Sequence, residues 1–171
     1  ALRWLVIGLL GDPREAARRA AAREDLDAAA AEAVIRSVRC AISSPLVGAA
    51  RRAPEAWAEL PLAWSGSWDD LPRRAREALE AKLAKENRPS PEDPIPVEGV
   101  ADLVYREGDG WRIVDYKTDA WSDGEELDRL EARYAPQLEL YDAALLARFG
   151  APVSAHLLFV AGERPVARRV V

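Results

Sequence analysis

At 171 residues, with 49% hydrophobic and 31% charged side chains, the chain is long enough to bury a core and ordinary in composition for a globular domain. A net charge of −5 excludes the strongly basic balance of a free-standing nucleic-acid binder, though not of a catalytic module fed by a neighbouring one. The lone Cys40 excludes an internal disulfide or a cysteine-built zinc or iron–sulfur centre within one chain, and no apolar run nears the roughly 20 residues that span a bilayer.

The first residues form a short apolar run over 5–10 without the basic flank or cleavage site of a signal peptide. Together with the single cysteine, this fits a reducing cytoplasm and no membrane partner. The sequence contains no methionine and opens directly on that run, so it reads as a fragment of a larger protein or as a chain missing residues near its start. Asp12-Pro13-Arg14-Glu15 has the form of an N-cap, a first-turn proline and a capping-box acid, and predicts helix to about Arg39 with a break. Ser44-Pro45 repeats the cap-plus-proline pattern and predicts a shorter helix to about Ala53. Residues 57–64 read as a strand, with Pro61 pointing to an edge or bulge. Residues 71–85 read as a helix capped near Asp69 or Asp70, and the proline-rich 87–96 as loop.

Two β-rich runs, 100–105 and 111–116, flank Gly108-Asp109-Gly110, the signature of a hairpin turn. A register centred between Gly108 and Asp109 places Asp102 opposite Asp115, with Cβ atoms roughly 5 Å apart. Lys117 lies two residues beyond Asp115 and so shares its face. Facing like charges destabilise a sheet unless a cation compensates, and Lys117 alone could be that cation on an ordinary surface hairpin. The same trio also fits a metal site for phosphodiester hydrolysis. Mg²⁺ asks for only one or two carboxylates, here Asp102 and Asp115, and the Tyr116 carbonyl could add a further oxygen. Lys117 would then hold the attacking water or stabilise charge developing on the phosphate.

Beyond the hairpin, 118–124 reads as a polar turn and 125–132 as a short helix. Pro136 then opens a second helix running to Phe149 and closed by Gly150. On that helix Gln137 and Tyr141 are four apart and share a face, where they can reach the phosphate or the metal-bound water, while Leu138, Ala144 and Leu145 face the sheet. Residues 153–160 form an apolar strand that 165–171 pairs with. Alternating strands and helices predict a mixed α/β sheet covered by helices.

The runs Gly99-Val-Ala-Asp102, Val114-Asp-Tyr-Lys-Thr-Asp119 and Tyr134-Ala-Pro-Gln137-Leu-Glu-Leu-Tyr141 together resemble the nuclease domain of RecB- and AddA-type helicase–nucleases, within the PD-(D/E)XK superfamily. The resemblance is specific over 98–160 and looser upstream, where Ser44-Pro45-Leu46 and Glu59-Leu60-Pro61 look similar. It implies a restriction-endonuclease-like mixed β-sheet flanked by helices, filling 1–171 as a single domain. It also implies a Mg²⁺-dependent DNA nuclease (Mn²⁺ as an alternative) acting on broken duplex ends or single strands in recombinational repair. Its expected partners are a UvrD-like helicase domain in cis, which would bind ATP outside this chain, and a partner subunit. Carried over by position, Asp102, Asp115 and the Tyr116 carbonyl are metal ligands, Lys117 is catalytic, and Gln137 and Tyr141 are the motif residues of the following helix. One departure stands out: the family places a metal-binding histidine in a Leu-Val-His-x-Leu-Leu context, where this chain has Leu5-Val6-Ile7-Gly8-Leu9-Leu10. Ile7 cannot bind a metal, and it keeps open a degenerate, non-cleaving module that binds DNA or docks on another protein of the same assembly.

Elsewhere the bland readings prevail. Cys40 reads as a small buried residue, His156 as structural, most tryptophans as core, and the arginine clusters 51–52, 73–76 and 168–169 as solvated faces. Glu59 and Glu98 are further acids within sequence reach of the site.

Overall fold

The computed structural model describes residues 27–83, 89–90 and 92–171, together with residues 15, 19 and 22. The helix start expected at 12–14, and Ile7, lie outside the described residues. Helix α1 (Ala28–Ile42) begins where the Asp27 carboxylate accepts the Ala30 N–H at 2.8 Å. Helix α2 (Pro45–Arg52) begins as expected, with Ser44 accepting the Leu46 N–H at 3.3 Å and a proline in the first turn, where no backbone donor is needed. The remaining described elements are β1 (Ala56–Gly66), α3 (Arg73–Glu80), β2 (Ile95–Glu107), β3 (Gly110–Lys117), α4 (Gly124–Phe149), β4 (Val153–Phe159) and β5 (Val166–Arg169). No single described helix is long and apolar enough to cross a membrane.

The five strands form one sheet in the order β1-β2-β3-β4-β5. All neighbours are antiparallel except β3 and β4, which run parallel and therefore need a crossover, supplied by α4. Helices cover both faces. On one, Cys40, Ala41, Leu46, Val47 and Ala50 of α1 and α2 pack on Leu103, Tyr105, Val114 and Leu158. On the other, Leu127, Leu138, Tyr141, Ala144 and Leu145 of α4 pack on Val104, Ile113, Leu157 and Phe159. Here Trp57, Trp111 and Phe149 close one end of the core, with Trp111 and Phe149 ring centroids 4.5 Å apart. This is the mixed, helix-flanked sheet of the restriction-endonuclease-like fold.

Three sequence expectations need correction. Helix α3 starts at Arg73 after Pro72 with no side-chain cap, because Asp70 instead accepts both the N–H and the hydroxyl of Ser67 at 2.8 Å and closes its own turn. Strand β2 starts at Ile95, inside the expected loop. Pro96 fits there because it pairs with Ser65 of β1 on one side, while β3 has not yet joined on the other. Pro136 does not open a helix; it lies inside the continuous 26-residue α4. The true start is Asp123, whose carboxylate accepts the Glu126 N–H at 2.9 Å. The proline deprives the Ala132 carbonyl of its helical donor, but Ala132 is exposed and water can replace it. Six buried α4 side chains, from Leu127 to Leu145, outweigh that local loss.

Candidate active site

Gly108 takes the first turn position of the β2–β3 hairpin at φ 59, a left-handed value that suits the turn's twist. The register that follows is the one expected, from Glu107↔Gly110 to Leu103↔Val114. There backbone pairing stops. At the next step the carboxylate of Asp102 accepts the N–H of Tyr116 at 2.8 Å, taking over the role of a strand carbonyl. The two strands thus separate where the two aspartates meet.

Strand β1 is distorted at the same level. Its pairing with β2 passes from Ala58↔Leu103 to Leu60↔Ala101, which leaves Glu59 across from Asp102. Glu59 has φ 55, the one positive value among described non-glycine residues. Side chains change face there: Trp57 and then Leu60 and Leu62 on β1, and Val104 and then Ala101 on β2, all pack on the α4 side. A left-handed glutamate costs about 1–3 kcal/mol, strain of the kind that gathers at functional sites.

Asp115 is 3% exposed. Its buried Oδ2 forms an ion pair with Lys117 Nζ at 2.6 Å and has no further donor among the described residues. Lys117 Nζ also donates to Gln137 Oε1 at 3.3 Å, and Gln137 Nε2 donates to the Tyr141 hydroxyl at 2.8 Å. The amide orientation is the only sensible one, since its oxygen must face the ammonium. Asp102, Asp115, Lys117, Gln137 and Tyr141 are thus gathered at one end of the sheet. The Tyr116 side chain packs on the opposite face with the α1–α2 cluster, so its backbone alone can serve this site.

Burial, followed by the charge of Asp115, pushes Asp102 up to about 6, against the Tyr116 N–H and Lys117, while Glu59 pushes the same way as Asp115. Burial also raises Asp115, opposed by Lys117. Burial of both carboxylates, with the charge of Asp115 acting on Asp102, marks a site short of positive charge. Among the described residues no group of three or more His, Cys, Asp or Glu is arranged to hold a metal ion. Two carboxylates compensated by a single lysine instead suit a hard divalent cation that keeps most of its water.

Some contributors escaped the sequence. A Cβ on Gly99 would lie 2.5 Å from Tyr141 Cε1 and 2.9 Å from its hydroxyl, so glycine is what lets Tyr141 lie against β2. Tyr134 places its ring 4.0 Å from Lys117 Nζ and donates its hydroxyl to Asp119 at 3.0 Å. The i, i+3, i+7 spacing of Tyr134, Gln137 and Tyr141 was the available signal, hidden by a proline that locally resembles a helix start. Glu98 lines a groove with Trp64, Ala144 and Arg148 between β1 and α4. His156 has a buried, unpartnered Nδ1, and burial lowers its pKa to about 4. The arginines of the clusters largely form ion pairs, Arg74 with Glu139 and Arg168 with Asp128 among them.

The described residues form a five-stranded mixed sheet with two aspartates and a lysine gathered where its hairpin opens, and over residues 4–171 this chain belongs to the PD-(D/E)XK nuclease superfamily. Among curated proteins it is similar to an AddA-type ATP-dependent helicase/nuclease protein of Heliobacterium modesticaldum, 30% identical over 123 residues, which cover 70% of this chain and 8% of that protein. The like-named protein of Desulforudis audaxviator is 40% identical over 70 residues, 41% of this chain and 6% of the relative. That of Thermoanaerobacter sp. (strain X514) is 41% identical over 51 residues, 30% and 4% respectively. The chain therefore spans only a small part of the curated relatives it matches.

Proposed function

We propose that this chain is a single Mg²⁺-dependent DNA nuclease domain, part of a longer helicase–nuclease that processes broken DNA ends in the bacterial cytoplasm. The observation that carries the reading is the meeting of Asp102 and Asp115 where the hairpin opens, with Lys117 beside them. When bound, a divalent cation supplies charge to polarise the phosphate and to acidify the attacking water. Asp102 and Asp115, with the Tyr116 carbonyl, would hold it. Asp102 gives up its proton near pH 6, so it is ready as a ligand at neutral pH. Lys117 orients the nucleophile or meets the negative charge growing on the phosphate. Gln137, itself steadied by the Tyr141 hydroxyl, holds Lys117 in place. The helicase names of the relatives support ATP-driven delivery of DNA by a domain in cis, and a partner subunit beside it.

Calorimetric titration with Mg²⁺ and Mn²⁺ tests the site. Binding by the wild type that disappears in Asp115→Ala is expected, and no binding, or unchanged binding in the variant, refutes it. Ile7, in place of a metal-binding histidine, favours a second reading, a non-cleaving module that binds DNA or a protein partner. Degradation of linear DNA by the full-length protein, lost in Asp115→Ala, separates the two.

A further inference from the structure

A divalent cation beside Asp115 would weaken its ion pair with Lys117. Asp115 Oδ2 lies 2.6 Å from Nζ, and a carboxylate that shares its charge with a cation attracts an ammonium less, while the cation itself repels it. Lys117 then keeps two partners from the metal-free state: the amide oxygen of Gln137 and the face of Tyr134. An aromatic face differs in kind from a carboxylate. It attracts the ammonium through its quadrupole but carries no net charge, so the positive charge of the lysine stays available to a phosphate. Tyr134 is itself fixed, because its hydroxyl lies 3.0 Å from both oxygens of Asp119. Donating that proton to an anion also pushes electron density into the ring and strengthens its hold on a cation. Arg133 approaches the same ring at 5.4 Å, farther than Lys117.

We propose that Tyr134, anchored by Asp119, is a positioning residue that would keep Lys117 aimed at the reacting phosphate without neutralising it when a cation draws on the charge of Asp115. The inference rests on the nuclease reading above, and it assigns work to two residues outside the metal-ligand set. The alternation of partners follows from charge. Asp115 balances the lysine while the site is empty, and the ring holds it when the carboxylate is taken.

Carbon–proton NMR tests this directly. Loss of one ε-methylene signal in Lys117→Arg identifies that of Lys117. In the metal-free protein the Lys117 ε-protons are expected well upfield of the ordinary lysine position, shielded by the Tyr134 ring. Tyr134→Leu should return them to the common position, whereas Tyr134→Phe, which keeps the ring but loses the Asp119 link, should leave a smaller displacement. At saturating Mg²⁺ the wild-type displacement should persist. In parallel, kcat on linear DNA should fall roughly 3- to 30-fold in Tyr134→Leu and less in Tyr134→Phe and Asp119→Asn, with Mg²⁺ affinity unchanged. An unshielded Lys117, a displacement that collapses on Mg²⁺ binding, or Tyr134→Leu with wild-type kcat each overturns the proposal. Absence of Mg²⁺ binding would instead refute the metal reading, and the metal-free displacement would still decide the contact.

Discussion

Replacing Asp102 with asparagine should stabilise the metal-free protein while abolishing its response to metal. The folded protein holds the Asp102 proton up to about pH 6, whereas the unfolded chain releases it near 3.8. Between those values the folded state binds more protons, so stability is full below the lower value and is lost as pH rises through the upper one. A gap of about two pH units at 1.36 kcal/mol each is worth about 3 kcal/mol at pH 7, and incomplete burial trims it to about 1–3 kcal/mol. Asparagine keeps an oxygen that can accept the Tyr116 N–H, so the hairpin contact survives while the charge does not. Urea unfolding in EDTA at pH 7.5 should therefore place Asp102→Asn above the wild type by about 1–3 kcal/mol, with the gap narrowing at pH 5. Adding Mg²⁺ at a hundred times its dissociation constant should stabilise the wild type by about 2.7 kcal/mol and leave the variant nearly unmoved. A variant no more stable than the wild type in EDTA at pH 7.5, or a gap that ignores pH, would refute the account of Asp102 as a strained, charge-starved ligand.

Lys117→Met should destabilise the metal-free protein by about 3 kcal/mol, since it strands Asp115 in a buried site, yet bind Mg²⁺ at least as tightly because no ammonium competes. Calorimetry and urea melts on the same sample check both signs. Gly99→Ala should cost about 1–3 kcal/mol by driving a methyl into Tyr141. Gly124→Ala, where nothing lies within 4 Å of the added carbon, should by comparison be nearly silent. Pro136→Ala should raise the melting temperature by restoring a donor to the Ala132 carbonyl, and a lowered melting temperature would mean that the proline ring packs better than its backbone cost suggests.

Much of this protein could be read without coordinates, because its information is local. The hairpin register follows from a two-residue turn and a period of two, and it predicted the pairing from Glu107↔Gly110 to Leu103↔Val114, one step short of Asp102 and Asp115. Caps with a first-turn proline, as at Ser44-Pro45, announce a helix whatever lies around them. The same rule failed at Pro136, where packing against the sheet carried α4 through the proline. Local propensity is worth a few kcal/mol at most, and six buried side chains outweigh it. That failure hid Tyr134, which shares a face with Gln137 and Tyr141 only if one helix holds all three.

The sequence by itself thus picked out the candidate site: two aspartates and a lysine whose spacing along a ribbon leaves little freedom. Only the tertiary structure decided how their charges are balanced. The burial of Asp115, the left-handed Glu59 across from Asp102, the space Gly99 leaves for Tyr141 and the ring beneath Lys117 all depend on residues far apart in the chain. Spacing governs direction along one element. The depth of burial and the distance between elements, which set the pKa values and the partners of each charge, exist only once the sheet and α4 have closed around them.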